Sequence, residues 1–343
     1  MTSRRSAPSS PPSTDRCHAL GHEPTSAVRE VDQAASPERL GHNGRVSDET
    51  LGLMSGDNYY QEHSATQRDT SELGLSFIDE ALADLGESPD RPLIADFGVA
   101  QGRNSARPIS RALAHFSDDV EVVVVHSDLP GNDWHSLFGF VSDEPQSYLR
   151  GRDNVRGCVA GTSFYNRLLP KECLALGWTS AAVHWLSESP GKITDNFFVQ
   201  SSTDTRAQTA YREQSRADWQ AFLRNRAVEL RPRGSIVFVD VLMGDDGLMG
   251  SEKLFASVET SLRWALTAGI IATSEYEGIA YPTWFRSLDE FREPFPFMGP
   301  EGSSLDLVSL TPVQLADPFK SDFERSGDRD AYAQQQVGFL RGF

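Results

Sequence analysis

The stretch Leu93-Ile-Ala-Asp-Phe-Gly-Val-Ala-Gln-Gly-Arg-Asn104 decides how this chain is read. A short apolar run ends in Asp96-Phe97 and then meets glycines at Gly98 and Gly102. A helix-competent segment, Ser105 to Phe116, follows. That order predicts a buried strand, a tight turn and a helix start. Glycine lets backbone approach a ligand closely, because no Cβ intervenes. The helix start adds unpaired N–H groups. Asp96 is an acceptor for the ammonium or hydroxyl groups of a bound cofactor.

Taken alone, the stretch leaves three readings open. A dinucleotide fold has Gly-x-Gly-x-x-Gly and a ribose-binding acid about 20 residues further on; here the pattern is Asp-x-Gly-x-Ala-x-Gly. A class I methyltransferase also sets a Gly-rich turn after its first strand, for the methionine part of S-adenosylmethionine. The third reading is a strand-to-helix turn that binds nothing.

The chain has 343 residues, enough for one large domain or two ordinary ones. No apolar run approaches the roughly 20 residues of a membrane span, so no membrane is expected. The formal charge of −17 argues against a nucleic-acid surface, which needs a basic face. The three cysteines, Cys17, Cys158 and Cys173, are odd in number and far apart, which fits neither a disulfide framework nor a Cys-x-x-Cys metal site. The eight histidines form no His-x-x-x-His pair, so no metal is expected. A cytoplasmic home is the simplest expectation.

Residues 1–50 are rich in Ser, Pro, Arg and Gly without a hydrophobic period and read as a disordered tail. The ordered domain is expected over 51–343. Leu73, Phe77, Ile78, Ala81 and Leu82 recur at helical spacing, and Ser88-Pro-Asp-Arg-Pro92 is the loop into the first strand. Val120 to Val125 predicts a second buried strand, ending in the turn-rich His126-Ser-Asp-Leu-Pro-Gly-Asn-Asp133. Gly157 to Tyr165 reads as irregular, and Ala181 to Leu186 as a strand. Ala217 to Leu230 reads as an amphipathic helix and Ile236 to Leu242 as a further strand. Strands alternating with helices give an α/β class with a largely parallel sheet. Ligands of such sheets sit at the carboxyl ends of strands, where Asp96, Asp128 and the residues after Trp185 fall. A mostly helical, aromatic-rich cap is expected from about 192–215 and 251–330.

Read together, these stretches resemble the SABATH family of S-adenosylmethionine-dependent methyltransferases. The family's opening Tyr-x-x-Asn-Ser-x-x-Gln is Tyr60-Gln-Glu-His-Ser-Ala-Thr-Gln67 here. Its glycine turn, Ala-Asp-Leu-Gly-Cys-Ser-x-Gly-x-Asn, is similar to Ala95-Asp-Phe-Gly-Val-Ala-Gln-Gly-Arg-Asn104. Its Asn-Asp-Leu-Pro-x-Asn-Asp-Phe-Asn loop is similar to Ser127-Asp-Leu-Pro-Gly-Asn-Asp-Trp-His135, and Gly-Ser-Phe-Tyr-x-Arg-Leu-x-Pro to Thr162-Ser-Phe-Tyr-Asn-Arg-Leu-Leu-Pro170. Leu-His-Trp-Leu-Ser-x-x-Pro is similar to Val183-His-Trp-Leu-Ser-Glu-Ser-Pro190.

The resemblance implies a Rossmann-like class I methyltransferase sheet that uses S-adenosyl-L-methionine. The acceptor would be the carboxylate of a small, aromatic or isoprenoid-like acid; methylation of a heterocyclic nitrogen and a cofactor-binding relic without turnover are the alternatives. It implies that Asp96 and Gly98, with Asn104, contact the methionine end. Asp128 would take both ribose hydroxyls, Leu129 would pack on adenine, and Ser163 and Phe164 would neighbour it. Tyr60 and Ser64 would reach the cofactor from an N-terminal lid. Gln67 and Trp185, both N–H donors, would hold the substrate carboxylate, with His184 orienting its neighbour. No general base is implied, and a homodimer is. His63 stands where the family has Asn. The family also continues past the segment matching Ala331–Phe343 through a helix and closing strands, so the expectation is a sheet lacking its last strands and exposing an edge.

Overall fold

The computed structural model describes residues 2–5, 53–56, 59, 64–86, 91–279 and 281–342. Its strands are β1 (Thr2–Arg5), β2 (Leu93–Phe97), β3 (Val122–Asp128), β4 (Val155–Gly161), β5 (Leu174–Ser180), β6 (Leu230–Val239), β7 (Phe297–Met298) and β8 (Ser304–Ser309). The helices that bear on the site are α1 (Ala65–Glu72), α2 (Leu75–Ala83), α3 (Ala106–Leu113), α4 (Trp134–Asp143), α5 (Thr205–Glu229), α6 (Glu252–Thr267), α7 (Thr273–Tyr276) and α8 (Leu288–Arg292). Two further helices, α9 (Pro318–Ser326) and α10 (Arg329–Arg341), follow.

The strands form one sheet in the order β4-β3-β2-β5-β6-β1-β8-β7. β4, β3, β2, β5 and β6 run parallel; the pairs β6/β1, β1/β8 and β8/β7 are antiparallel. The pleat sends alternate side chains to opposite faces. In β2, Ile94 joins a core with Ile78, Ile109, Leu137 and Trp178. Its neighbours Ala95 and Phe97 join the other core, with Trp219, Phe222 and Phe238. Helices α2 and α3 cover the first face and α5 the second, so both faces of the parallel part are dry, as such sheets require.

Several expectations are corrected. The strand expected at 181–186 lies one element earlier, at Leu174–Ser180. Ala181 has φ +52°, a left-handed backbone that ends the strand. Gly177 hid the strand in the sequence, yet a Cβ there would come within 3.1 Å of Ile236 and Phe97 side chains. The stretch expected to be irregular from Gly157 includes most of β4, an edge strand whose side chains are largely exposed and which therefore shows no hydrophobic run.

Within the expected tail, residues 2–5 form β1, while 6–52 lie outside the described residues. β1 pairs Ser3 with Ile236 on one side and with Leu307 on the other. The edge expected to be open is thus occupied at β6, where unpaired backbone would otherwise be a liability. The cap expected over 251–330 excludes 297–309, because β7 and β8 belong to the sheet.

Candidate active site

The glycine turn follows β2 at the carboxyl edge of the sheet. Gly98 (φ +84°), Ala100 (φ +48°) and Gly102 (φ +89°) all take left-handed backbone. Ala100 pays about 1 kcal/mol or more for that conformation. The turn is strapped to the end of β3: the Gly98 and Val99 amides donate to Ser127 O at 2.8 and 3.2 Å. The Ala100 amide donates to Asp128 Oδ2 at 2.7 Å, and Asn132 Nδ2 returns a bond to Ala100 O at 2.8 Å. A Cβ at Gly98 would lie 2.5 Å from Ala182 Cβ and 3.6 Å from the Phe164 ring. The close approach that glycine allows is therefore used here, and it brings Phe164 and the loop after β5 to the turn.

One cleft at this turn is lined by Gln67, Asp96, Gly98, Asn104 and Ser180, among others. Gln67 Oε1, Asp96 Oδ2, Asn104 Oδ1 and Ser180 Oγ are buried there without a hydrogen-bond partner. His126 Nδ1 approaches Asp96 Oδ2 only to 3.6 Å, too far for a hydrogen bond. Orphaned buried oxygens are costly, on the order of 1–3 kcal/mol each. Three acceptors converging on one cleft fit a ligand that brings N–H donors, such as the ammonium of an amino-acid moiety. The Ser64 hydroxyl accepts from Asn104 Nδ2 at 3.1 Å, which joins the N-terminal end of α1 to the cleft. Tyr60 and His63 lie outside the described residues.

Asp128 closes β3. Its carboxyl also accepts from the Leu129 amide at 2.8 Å. Burial pushes its pKa up to about 6, against the two backbone donors that lower it and with the nearby Asp96 charge raising it. Ser163 and Phe164 sit just past β4. Their loop is held from beneath: Arg226 on α5 donates to Phe164 O and Asn166 O at 2.8 and 2.9 Å. Glu229 accepts from the Leu168 and Leu169 amides at 2.6 and 3.0 Å. Arg226 and Glu229 pair with each other at 2.8 Å, fully buried.

His184 and Trp185 lie on the loop after β5, with rings 5.9 Å apart. Their backbone is clamped. The Tyr165 hydroxyl sits between Val183 O (3.1 Å) and Trp185 O (2.5 Å). Arg286 Nη1 donates to Val183 O at 2.6 Å, and the Trp284 amide to His184 O at 3.0 Å. Asp218 on α5 accepts from the Ser187 amide and hydroxyl at 2.8 and 2.6 Å. Aromatic rings of the cap close over this loop: Phe285 stacks on His184 at 4.9 Å and Tyr281 meets Trp185 edge-on at 5.2 Å. Sequence reading missed Tyr165, Arg226, Asp240 and Arg286, which act through backbone or through a neighbouring side chain and leave no local pattern. A roomier groove of about 490 Å³ between α5 and α8 is lined by Arg212, Arg216, Glu290 and Glu293. Of the site residues named above, Arg286 lines it, while Gln67, Asp96, Asn104, Asp128, His184 and Trp185 do not.

A largely parallel sheet with a left-handed glycine turn after one strand and an acid ending the next is the arrangement of a Rossmann-like class I methyltransferase fold. Comparison with known proteins agrees. A family model for SAM dependent carboxyl methyltransferase matches residues 51–296, and the chain belongs to that family, whose cofactor is S-adenosylmethionine. It is 28% identical over 272 residues to indole-3-acetate O-methyltransferase 1 of Arabidopsis thaliana, covering 69% of this chain and 70% of that one. It is 26% identical over 305 residues to jasmonate O-methyltransferase of the same plant, covering 76% of each. The fold is that of loganic acid methyltransferase with SAH, at TM-score 0.60 and 24% identity over 70% of this chain and 74% of that one. No helix among the described residues is long and apolar enough to cross a membrane.

Proposed function

We propose that this enzyme esterifies the carboxylate of a small organic acid, of the size class of indole-3-acetate or jasmonate. The observation that carries the cofactor placement is the set of orphaned oxygens of Gln67, Asp96 and Asn104 in one cleft. Asp96 and Asn104 would take the ammonium of S-adenosylmethionine, and Asp128 its ribose hydroxyls. Leu129, Ser163 and Phe164 would flank the adenine. When bound, the cofactor supplies a methyl carbon on a sulfonium, to which a carboxylate oxygen bonds as sulfur takes back the electron pair.

The residues then have a positioning task. A carboxylic acid with a pKa near 4 is ionised at pH 7, so nothing need remove a proton. The amide Nε2 of Gln67 and the indole Nε1 of Trp185 are neutral donors that aim the anion. Because its negative charge is neutralised as it reacts, a cationic clamp such as Arg would restrain it more than neutral donors do. Holding the two partners in register supplies an entropic gain of up to roughly 7–11 kcal/mol. The Tyr165, Arg286 and Trp284 bonds to the 183–185 backbone keep Trp185 in place for that purpose. A cytoplasmic homodimer completes the proposal, with light scattering as its check. The decisive experiment incubates the protein and cofactor with a panel of small carboxylic acids. Mass spectrometry should find one added methyl group on at least one acid; none on any acid, with the cofactor bound, would sink the reading.

A further inference from the structure

We infer that Asp240 sets the hydrogen-bonding sense of His184, so that the site prefers acids carrying a hydroxyl or ring N–H beside the carboxylate-bearing group. This rests on the carboxyl-methyltransferase reading above. His184 Nδ1 lies 2.6 Å from Asp240 Oδ1, and both side chains are nearly sealed from solvent. A carboxylate only accepts, so the proton of that bond belongs to Nδ1. In the neutral ring Nε2 is then a lone-pair acceptor. Among the described residues Nε2 has no hydrogen-bond partner, and it is not among the fully buried orphan atoms, so it keeps part of the ring's small exposed surface.

The ring cannot turn to change this. Phe285 stacks on its face at 4.9 Å and 28°, and the backbone on both sides is pinned through Val183 O and Trp185 O. Trp185 is the adjacent residue, with its ring centroid 5.9 Å away. An acid gripped by the indole therefore lies one ring's width from an acceptor that repels a second carboxylate oxygen and rewards a donor. Asp240 is a positioning residue for this purpose: it touches His184 and not the substrate. Arg286, a buried cation bonded to this loop, gives Nη1 and Nη2 to Val183 O and Ser215 O, and neither its Nε nor Asp240 Oδ2 has a hydrogen-bond partner among the described residues, so the two side chains do not bond to each other.

The test measures equilibrium binding to the protein saturated with S-adenosylhomocysteine, at pH 8, using near-isosteric pairs of acids. The pairs are salicylate with 2-fluorobenzoate, 3-hydroxybenzoate with 3-fluorobenzoate, and indole-3-acetate with benzothiophene-3-acetate. The expected result is about tenfold tighter binding of the donor-bearing member in at least one pair, the size of one well-made hydrogen bond. In Asp240→Asn the side-chain amide can donate to Nδ1 and favour the opposite tautomer, as replacing the orienting acid of a catalytic triad does. The preference should fall to near unity or invert, while Asp240→Glu keeps its direction and S-adenosylhomocysteine affinity stays within twofold. An unchanged preference in Asp240→Asn overturns the inference. So does a wild-type protein with no preference in any pair, which decides the matter even if the variant does not fold. Failure of every acid to bind or be methylated sinks the carboxyl-methyltransferase reading itself.

Discussion

Acidifying the protein from pH 7.5 to pH 5 should weaken its hold on the adenosyl cofactor through Asp128. In the free protein burial pushes this carboxyl up to about 6. Two ribose hydroxyls donating to it favour the charged form, so the bound pKa lies lower. Affinity is then full above pH 6 and falls about tenfold per unit below it, until the bound pKa is reached. At pH 5 about one molecule in ten is still ionised at Asp128, so Kd for S-adenosylhomocysteine should rise about tenfold, or roughly 1.4 kcal/mol. The sign for folding is the opposite. A carboxyl whose folded pKa is raised from 3.8 to about 6 stabilises the fold most below 3.8, and that contribution, about 3 kcal/mol, is lost as pH climbs through 6. Above pH 6 the cofactor's bonds offset the loss, so its thermal stabilisation should grow with pH. Calorimetric titration at the two pH values, on wild type and Asp128→Asn, is the assay. Asp128→Asn should bind weakly and without this pH step. A wild-type Kd that stays flat from pH 7.5 to 5, or a step that survives in the variant, would refute the assignment.

Four further outcomes are expected. Gln67→Ala and Trp185→Phe should each lower kcat/KM for the acid by about 10- to 100-fold, one hydrogen bond to a charged group, with cofactor affinity unchanged in Trp185→Phe; wild-type kinetics in both would remove the clamp. Gly98→Ala places a Cβ 2.5 Å from Ala182 Cβ at φ +84° and should cost about 2–4 kcal/mol of stability together with cofactor binding, read by thermal melts with and without S-adenosylhomocysteine. Glu229→Gln leaves Arg226 as a buried unpaired cation, a loss of about 3–5 kcal/mol, so the melting temperature should drop on the order of 10 °C. Tyr165→Phe removes the hydroxyl between Val183 O and Trp185 O; KM for the acid should rise while cofactor Kd holds, and a rise in both would instead mark a general loss of packing.

What could be read in advance followed local chemistry. The apolar run into Asp96, the two glycines and the β-branched run into Asp128 each carry their own signal, and the turn they build is in place. Gln67, Asp96 and Asn104 share a cleft because helix start, strand end and turn are each short-range features. The misplaced strand shows the limit. Leu174–Ser180 is buried throughout but for its last residue, so it lacks alternation, and Gly177 weakens its propensity. Ala181 looks like a strand residue and instead takes φ +52°, which no local pattern in the sequence marks. The same holds for Asp240 and Arg226. Their roles depend on partners roughly sixty positions away in the chain, a distance over which spacing patterns carry no information.

The placement of β1 has a consequence for biogenesis. Arg4 pairs with Ser235 and Asp306, so β1 waits for partners far along the chain before it can dock. Closing so long a loop adds only a slowly growing entropic term, but it places the event at the end of folding, when non-local pairings form. Until then the slot beside β6 stays open to any extended peptide that reaches it.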